Sequence, residues 1–222
     1  MPSSLISLCS SCPTDGVSPG HRCAVYPSSS MTDAQWAILE PLLPPPGNTG
    51  GRGGRPEKYC RRMVLAAIFY VVRGGIAWRQ LPSDFPPATT VYAAFARWVR
   101  GEGWRRVHDA LRDQARIRDG RKAQPSAAII DSQSVKGADT VHGWTRGFDA
   151  GKKINGRKRH IAVDTTGLLL AVVVTTASIQ DRDGAFRLLA ALRAAFSTVT
   201  LVWADGGYTG RLVSWAKSVL SL

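Results

Sequence analysis

Two aspartates follow apolar runs and open into polar turns. Asp131 stands in Ile129-Ile-Asp-Ser-Gln-Ser-Val-Lys136, and Asp205 in Val202-Trp-Ala-Asp-Gly-Gly-Tyr-Thr-Gly210. A carboxylate is costly to bury unless it is paired or bound to a metal, and ligands gather at the carboxyl ends of sheet strands. If the two runs are neighbouring strands, two anions meet and repel unless a divalent cation lies between them. Magnesium or manganese suits such an oxygen-only pair. The alternative for each residue is an aspartate that caps the turn after it.

The second chemistry-bearing stretch is cationic. Lys152, Lys153, Arg157, Lys158 and Arg159 fall within eight residues that hold no acid. Mutual repulsion in such a basic loop is relieved by phosphates, which makes DNA contact the favoured reading over a solvated turn. Contacts of this kind position a duplex without reading its sequence. Trp144 and Phe148 are close enough in the chain to stack on an unpaired base, or simply to pack. Arg52 and Arg55 lie in the Gly/Pro-rich stretch 44–56, read as a flexible basic loop and a further DNA contact. A zinc site built on Cys9, Cys12, His21 and Cys23 fits poorly, because one residue separates the last two and no core pattern flanks them.

These residues need elements to hold them. Residues 57–73 place Cys60, Met63, Val64, Ala67, Ile68, Val71 and Val72 at helical spacing, ended by Gly74-Gly75. Val91, Phe95 and Trp98 mark a second helix, and Trp104, Val107 and Leu111 a third with arginines around it. Thr32-Asp33 is an N-cap signal for the segment that follows Met31. After Pro125 the pattern changes. Residues 127–131, 161–163, 168–174 and 199–203 read as strands, and residues 182–196 as a helix. The order strand, hairpin, helix, strand builds a mixed sheet covered by helices, so the fold class is α/β with a helical N-terminal region. Cys60 is a packing residue on its helix.

Composition fits a nucleic-acid partner. Lys and Arg total 29 against 16 acids, a net charge of +13, and the cations cluster in 52–62, 100–122 and 152–159. No apolar run approaches the ~20 residues needed to span a bilayer, and the first thirty residues, rich in Ser and Pro, lack a signal-peptide pattern. Residues 1–30 are expected to be a disordered leader or an over-extended start, with Met31 the true beginning, residues 31–122 a helical DNA-binding region and residues 123–222 the sheet-bearing core. A cytoplasmic, nucleoid-associated protein with no membrane contact is expected.

Taken together, Trp36-Ala-Ile-Leu-Glu-Pro-Leu-Leu-Pro44, Ile130-Asp-Ser-Gln-Ser-Val-Lys136, Gly151-Lys-Lys-Ile-Asn-Gly-Arg-Lys-Arg-His-Ile-Ala-Val-Asp164, Gln180-Asp-Arg-Asp-Gly-Ala185 and Ala204-Asp-Gly-Gly-Tyr-Thr-Gly210 resemble the DDE transposases of short bacterial insertion sequences. The resemblance spans nearly everything from Met31 onward. It implies a ribonuclease-H-like core in which Asp131 and Asp205 are the first two carboxylates of a catalytic, metal-binding triad. It also implies two Mg2+ (or Mn2+) ions roughly 3.5–4 Å apart that activate water and then a 3′-hydroxyl for attack on phosphodiesters. The partners implied are double-stranded DNA, at the element's ends and at the target, and a second copy or full-length transposase, since two ends must be brought together.

The family's third carboxylate is a glutamate on a helix after one further strand, and residues 206–222 contain no Asp or Glu. The expectation is therefore a carboxy-terminally truncated core, inactive alone, whose last strand is left as an exposed edge. Asp164 is assigned to the hairpin turn, and Asp181 or Asp183 to a helix cap. The other readings are a non-catalytic DNA-binding regulator, a decayed frame whose product barely folds, and a metal-dependent nuclease with a rearranged site.

Overall fold

The computed structural model describes Tyr26, residues 28–46, residues 57–138 and residues 142–222. It divides into two compact units, Met1–Leu111 and Arg112–Leu222, so the division falls inside a helix, ahead of the boundary expected after residue 122.

In the first unit α1 (Asp33–Leu39) begins with a capping box. The Thr32 hydroxyl accepts from the Gln35 amide at 3.2 Å, and the Gln35 side chain accepts from the Thr32 amide at 2.9 Å. Helix α2 (Arg61–Gly74) ends where Gly75 turns left-handed at φ 63°, a conformation open to glycine at little cost. Its buried face, Val64, Leu65 and Ile68, packs with Val91 and Trp98 of α3 (Ala88–Arg100) and Val107 of α4 (Gly103–Arg118). The connection between α2 and α3 docks through Trp78, whose ring centroid lies 5.1 Å from that of Phe95.

The expected leader runs to residue 30, yet its last residues belong to this packing. The Tyr26 ring lies 4.9 Å from Tyr70 and 5.2 Å from Phe85, and its hydroxyl donates to Asp84 at 2.9 Å. Ser29 is buried, and Arg73 donates to the Ser28 carbonyl.

The second unit is a mixed sheet. Strand β1 (Ala127–Lys136) pairs antiparallel with β3 (Ile154–Val163) along its length and parallel with β5 (Leu201–Trp203) at its start. The far edge of β3 is shared between β2 (Gly147–Asp149) and β4 (Leu169–Thr176), both antiparallel to it. Helix α5 (Asp181–Ala195) crosses over from β4 to β5, and α6 (Arg211–Trp215) follows. Helix α5 buries Leu188, Leu189 and Leu192 against Ala128, Ile130 and Ala162 on one face of the sheet. The opposite face presents Ile129, Val172, Val174, Leu201 and Trp203 to the exterior. Among the described residues β5 has β1 as its partner and forms the edge of the sheet.

Two strands depart from the sequence reading. Strand β1 does not stop at Asp131 but runs on to Lys136, because Ser132 and Ser134 continue the buried alternation as polar residues. Strand β3 begins at Ile154, so Arg157, Lys158 and Arg159 are strand residues and not loop residues. Strand alternation then sends them to opposite faces.

Candidate active site

The parallel register sets Ile129 opposite Trp203. Asp131 stands two residues farther along β1, and Asp205 two residues past Trp203, beyond the end of β5, so the paired strands lead both aspartates toward the same end of the sheet. Asp131 shares the exposed face with Ile129 and Gln133, between the buried residues Ile130 and Ser132. Asp205 follows the end of β5 in an exposed turn. One oxygen of each is engaged locally. The Ser132 amide donates to Asp131 Oδ1 at 2.6 Å, and the Gly207 amide to Asp205 Oδ1 at 2.9 Å. Turn capping by Asp205 and pairing with Asp131 across the strands are thus compatible. The pair is the right donor type for a hard divalent cation. It is short in number, because no three His, Cys, Asp or Glu side chains among the described residues converge to hold a metal ion.

Beneath this pair lies a buried polar network. Lys158 is 4% exposed, and its Nζ lies 2.7 Å from Asp181 Oδ1 and 3.0 Å from Asp149 Oδ2. Burial pulls the lysine pKa down, but contact with the two carboxylates outweighs it and leaves the ammonium above its ordinary value. Asp149 also accepts from the Ser134 hydroxyl and from the Lys152 amide, and these bonds, the Ser134 bond foremost, hold its carboxyl far below the usual range. Asp181 would be raised by burial, but Lys158 and the Ser132 hydroxyl bring it below its ordinary value. It is not a cap. Gln180 occupies that position, and Asp181 and Asp183 sit in the first turn of α5, where negative charge suits the helix dipole.

His160 continues the same buried row. It is 1% exposed, and its Nε2 lies 3.1 Å from Thr175 Oγ1. Its ring lies against Gly184, where an added Cβ would come within 2.1–2.5 Å of the imidazole. The two stretches Gly151–Asp164 and Gln180–Ala185 are therefore complementary, with Lys158 on Asp181 and His160 on Gly184. Asp164 lies in the hairpin turn as expected, accepting from the Thr166 and Leu168 amides at 2.8 and 2.9 Å. It also pairs with Arg116 at the end of α4.

The basic residues separate by position. Lys153, Arg157 and Arg159 are exposed, and Arg159 donates to Gln133 on the face that carries Asp131. Lys152 is exposed at its stem, but its Nζ donates to the Ser132 carbonyl at 2.9 Å. Lys158 is the exception, turned inward as a structural ion. Trp144 is 82% exposed with its ring stacked at 6.4 Å on His142, and Phe148 is 57% exposed. Arg52 and Arg55, like Cys9, Cys12, His21 and Cys23, lie outside the described residues. Sequence reasoning passed over Ser132, Ser134 and Tyr208. The available signal was the serine alternation between Ile130 and Val135, which is that of a strand with a polar buried face.

No helix among the described residues is long and apolar enough to cross a membrane. Residues 31–127 match the family described as "Putative transposase of IS4/5 family", and residues 122–220 match the "Transposase DDE domain". A relative, the insertion element IS402 uncharacterized 16.2 kDa protein of Burkholderia cepacia, is 29% identical over 108 residues, which are 48% of this chain and 72% of that protein. No solved structure matches the chain. The two matched segments adjoin and together run from residue 31 to residue 220, each matching a transposase family, so the chain carries a region of the IS4/5 transposase type followed by a transposase DDE domain.

Proposed function

We propose that this chain binds DNA and contributes two carboxylates, Asp131 and Asp205, to metal-dependent cleavage and strand transfer at the ends of an insertion sequence. The observation that supports the reading is the parallel pairing of β1 with β5, since Asp131 lies two residues past Ile129 and Asp205 two residues past its partner Trp203. Transposases of this family act on DNA and require a divalent metal. Asp131 and Asp205 would hold Mg2+ or Mn2+, which supplies positive charge to the scissile phosphodiester and an activated oxygen nucleophile. Among the cations, Lys153, Arg157 and Arg159 are placed to meet phosphates, with Arg52 and Arg55 as further contacts and Lys152 shared between Ser132 and the exterior. Lys158 is left to its buried ion pairs. Two copies, or one copy with a longer transposase, would hold the two ends together.

A second reading, a DNA-binding regulator without strand transfer, is favoured by one observation: no group of three metal-capable side chains converges among the described residues. Labelled duplex carrying an element end separates the two. Mn2+-dependent cleavage by a chain extended through the following codons, absent from the 222-residue chain and lost with Asp131→Asn or Asp205→Asn, supports the transposase reading with a further carboxylate supplied from outside these residues. End-specific binding without cleavage in either form supports the regulator. Cleavage by the 222-residue chain itself shows that another of its carboxylates completes the site.

A further inference from the structure

Alternation on β3 lines up a row of side chains that runs away from the aspartates. Asn155, Arg157 and Arg159 are exposed on the face that carries Asp131, while Gly156, Lys158 and His160 are buried on the other. The register sets Asp131 opposite Ile161, Gln133 opposite Arg159 and Val135 opposite Arg157. At the far end Phe148 of β2 stands opposite Asn155 and shares its face. Asn155 is six positions before Ile161, so Phe148 lies about 20 Å along the strand from the level of Asp131.

Phe148 is 57% exposed and takes no part in the core of its unit. A lone exposed ring is ordinary, but this one closes a row of cations. The guanidiniums of Arg157 and Arg159 have no acidic partner among the described residues, Arg159 donating to the neutral Gln133 at 2.7 Å. Between Asp131 and Phe148 the outward positions of β1 and β3 hold no acid. Trp144, 82% exposed, adds a second ring on the turn that leads into β2. Cations in a row with an open aromatic ring on a sheet suit a single strand, whose phosphates meet the guanidiniums and whose bases offer a flat face to the ring. An apolar protein surface laid here would strip water from two arginines without supplying a counter-charge. A duplex keeps its bases stacked on one another and leaves the ring unused.

We propose that the open face of β3 is a track for single-stranded DNA, in which Phe148 stacks on an unpaired base while Arg157 and Arg159 hold the phosphates between that base and Asp131. That the strand is an unpaired end of an insertion sequence rests on the transposase reading; the binding of single-stranded DNA does not.

The test is fluorescence anisotropy of the 222-residue chain with a mixed-sequence single-stranded DNA of about ten nucleotides and with its blunt duplex, in the absence of metal. Phe148→Ala is expected to weaken single-strand binding roughly five- to hundredfold, the worth of one stacked base, and duplex binding by less than about twofold. The loss should appear at every salt concentration with an unchanged salt slope, whereas Arg157→Ala with Arg159→Ala should reduce that slope by about 0.7 per phosphate contact. Phe148→Trp should keep the affinity. Phe148→Leu, which keeps apolar bulk on the strand but has no π-face, should lose it as alanine does.

Failure of the wild-type chain to bind the single strand overturns the proposal, as does wild-type affinity in Phe148→Ala. Retained affinity in Phe148→Leu also overturns it, since apolar contact would then suffice. Equal losses on single strand and duplex place Phe148 in a general DNA surface or in the fold, and the track falls. If Phe148→Ala alters only the sedimentation of the chain, the face is an interface between copies and the proposal is overturned. Selective loss on the single strand, with no cleavage of element ends by any form of the chain, upholds the track and removes the transposase reading.

Discussion

Lys158 Nζ stands 2.7 Å from Asp181 Oδ1 and 3.0 Å from Asp149 Oδ2, so one ammonium joins the central strand β3 to the first turn of α5 and to the short strand β2. It stands on β3 opposite Ser134 of the strand that carries Asp131. Removing one partner of a buried ion pair leaves the others without compensation, which costs about 3–5 kcal/mol; the 37% exposure of the Asp181 side chain argues for the lower end of that range. Lys158→Met is expected to lower the stability of the second unit by about 3 kcal/mol in urea unfolding. Arg157→Ala, one residue away and exposed, should change it by under ~0.5 kcal/mol. Equal effects of the two would contradict the inward assignment of Lys158.

Acid should unfold this unit in two stages. Burial holds the His160 pKa below its ordinary 6.5, so as pH falls through that value the unfolded chain takes up a proton that the native state resists, and stability declines. The carboxyls of Asp149 and Asp181 are also held below their ordinary 3.8, so the stability they contribute is complete above that pH and is lost as pH falls past it. Lys158 acts at the other end. Its raised pKa keeps its contribution intact up to the ordinary value of 10.5, with loss above it. Melting temperature measured against pH should therefore be flat between neutrality and pH 10. Asp149→Asn should flatten the lower of the two acid limbs, and a wild-type curve without that limb would contradict the account of Asp149.

Much of this arrangement was legible in residue pattern and some was not, for physical reasons. Helices α2, α3 and α4 announce themselves because Val64, Ile68, Val91, Trp98 and Val107 keep a 3.6-residue beat. The pairing of the strands that carry Asp131 and Asp205 stood as a condition in the sequence and is met by the register of Ile129 with Trp203. The start of β3 was hidden because Arg157, Lys158 and Arg159 are alike in type, and alternation on a strand is all that separates them. Ser134 and Ser132 are buried with partners that lie remote in sequence, Asp149 accepting from the Ser134 hydroxyl and Lys152 Nζ reaching Ser132. Tyr26 was hidden among serines and prolines, where composition points to disorder and a single aromatic anchor leaves little trace.

Gly184 and His160 make a steric pair that a double-mutant cycle can read. A Cβ at Gly184 would fall 2.1 Å from His160 Cε1, inside any real contact, and the ring is held between helix and sheet. Gly184→Ala is expected to destabilise the unit by about 1–3 kcal/mol, the usual cost of overpacking, despite the better helix propensity of alanine. In a His160→Ala background the same substitution should be neutral or slightly stabilising. A cost that persists without the imidazole would place the conflict with other atoms.

The last prediction concerns the cations that remain outward. Arg157 and Arg159 lie on the face that carries Asp131, Arg159 bonded to Gln133 across the register at 2.7 Å, while Lys158 between them points the other way. If the outward pair meets phosphates, each contact displaces a condensed counterion, and the logarithm of DNA affinity falls with the logarithm of salt by a slope of about 0.9 per phosphate. Arg157→Ala with Arg159→Ala should therefore reduce that slope by about 2 and weaken binding on every duplex alike, because phosphate contacts carry no sequence information. Fluorescence anisotropy on an element-end duplex and an unrelated one, from low to physiological salt, makes the comparison. An unchanged slope would move the phosphate contacts elsewhere, to Lys153 or to Arg52 and Arg55, and a loss confined to the element end would mean that these arginines read bases.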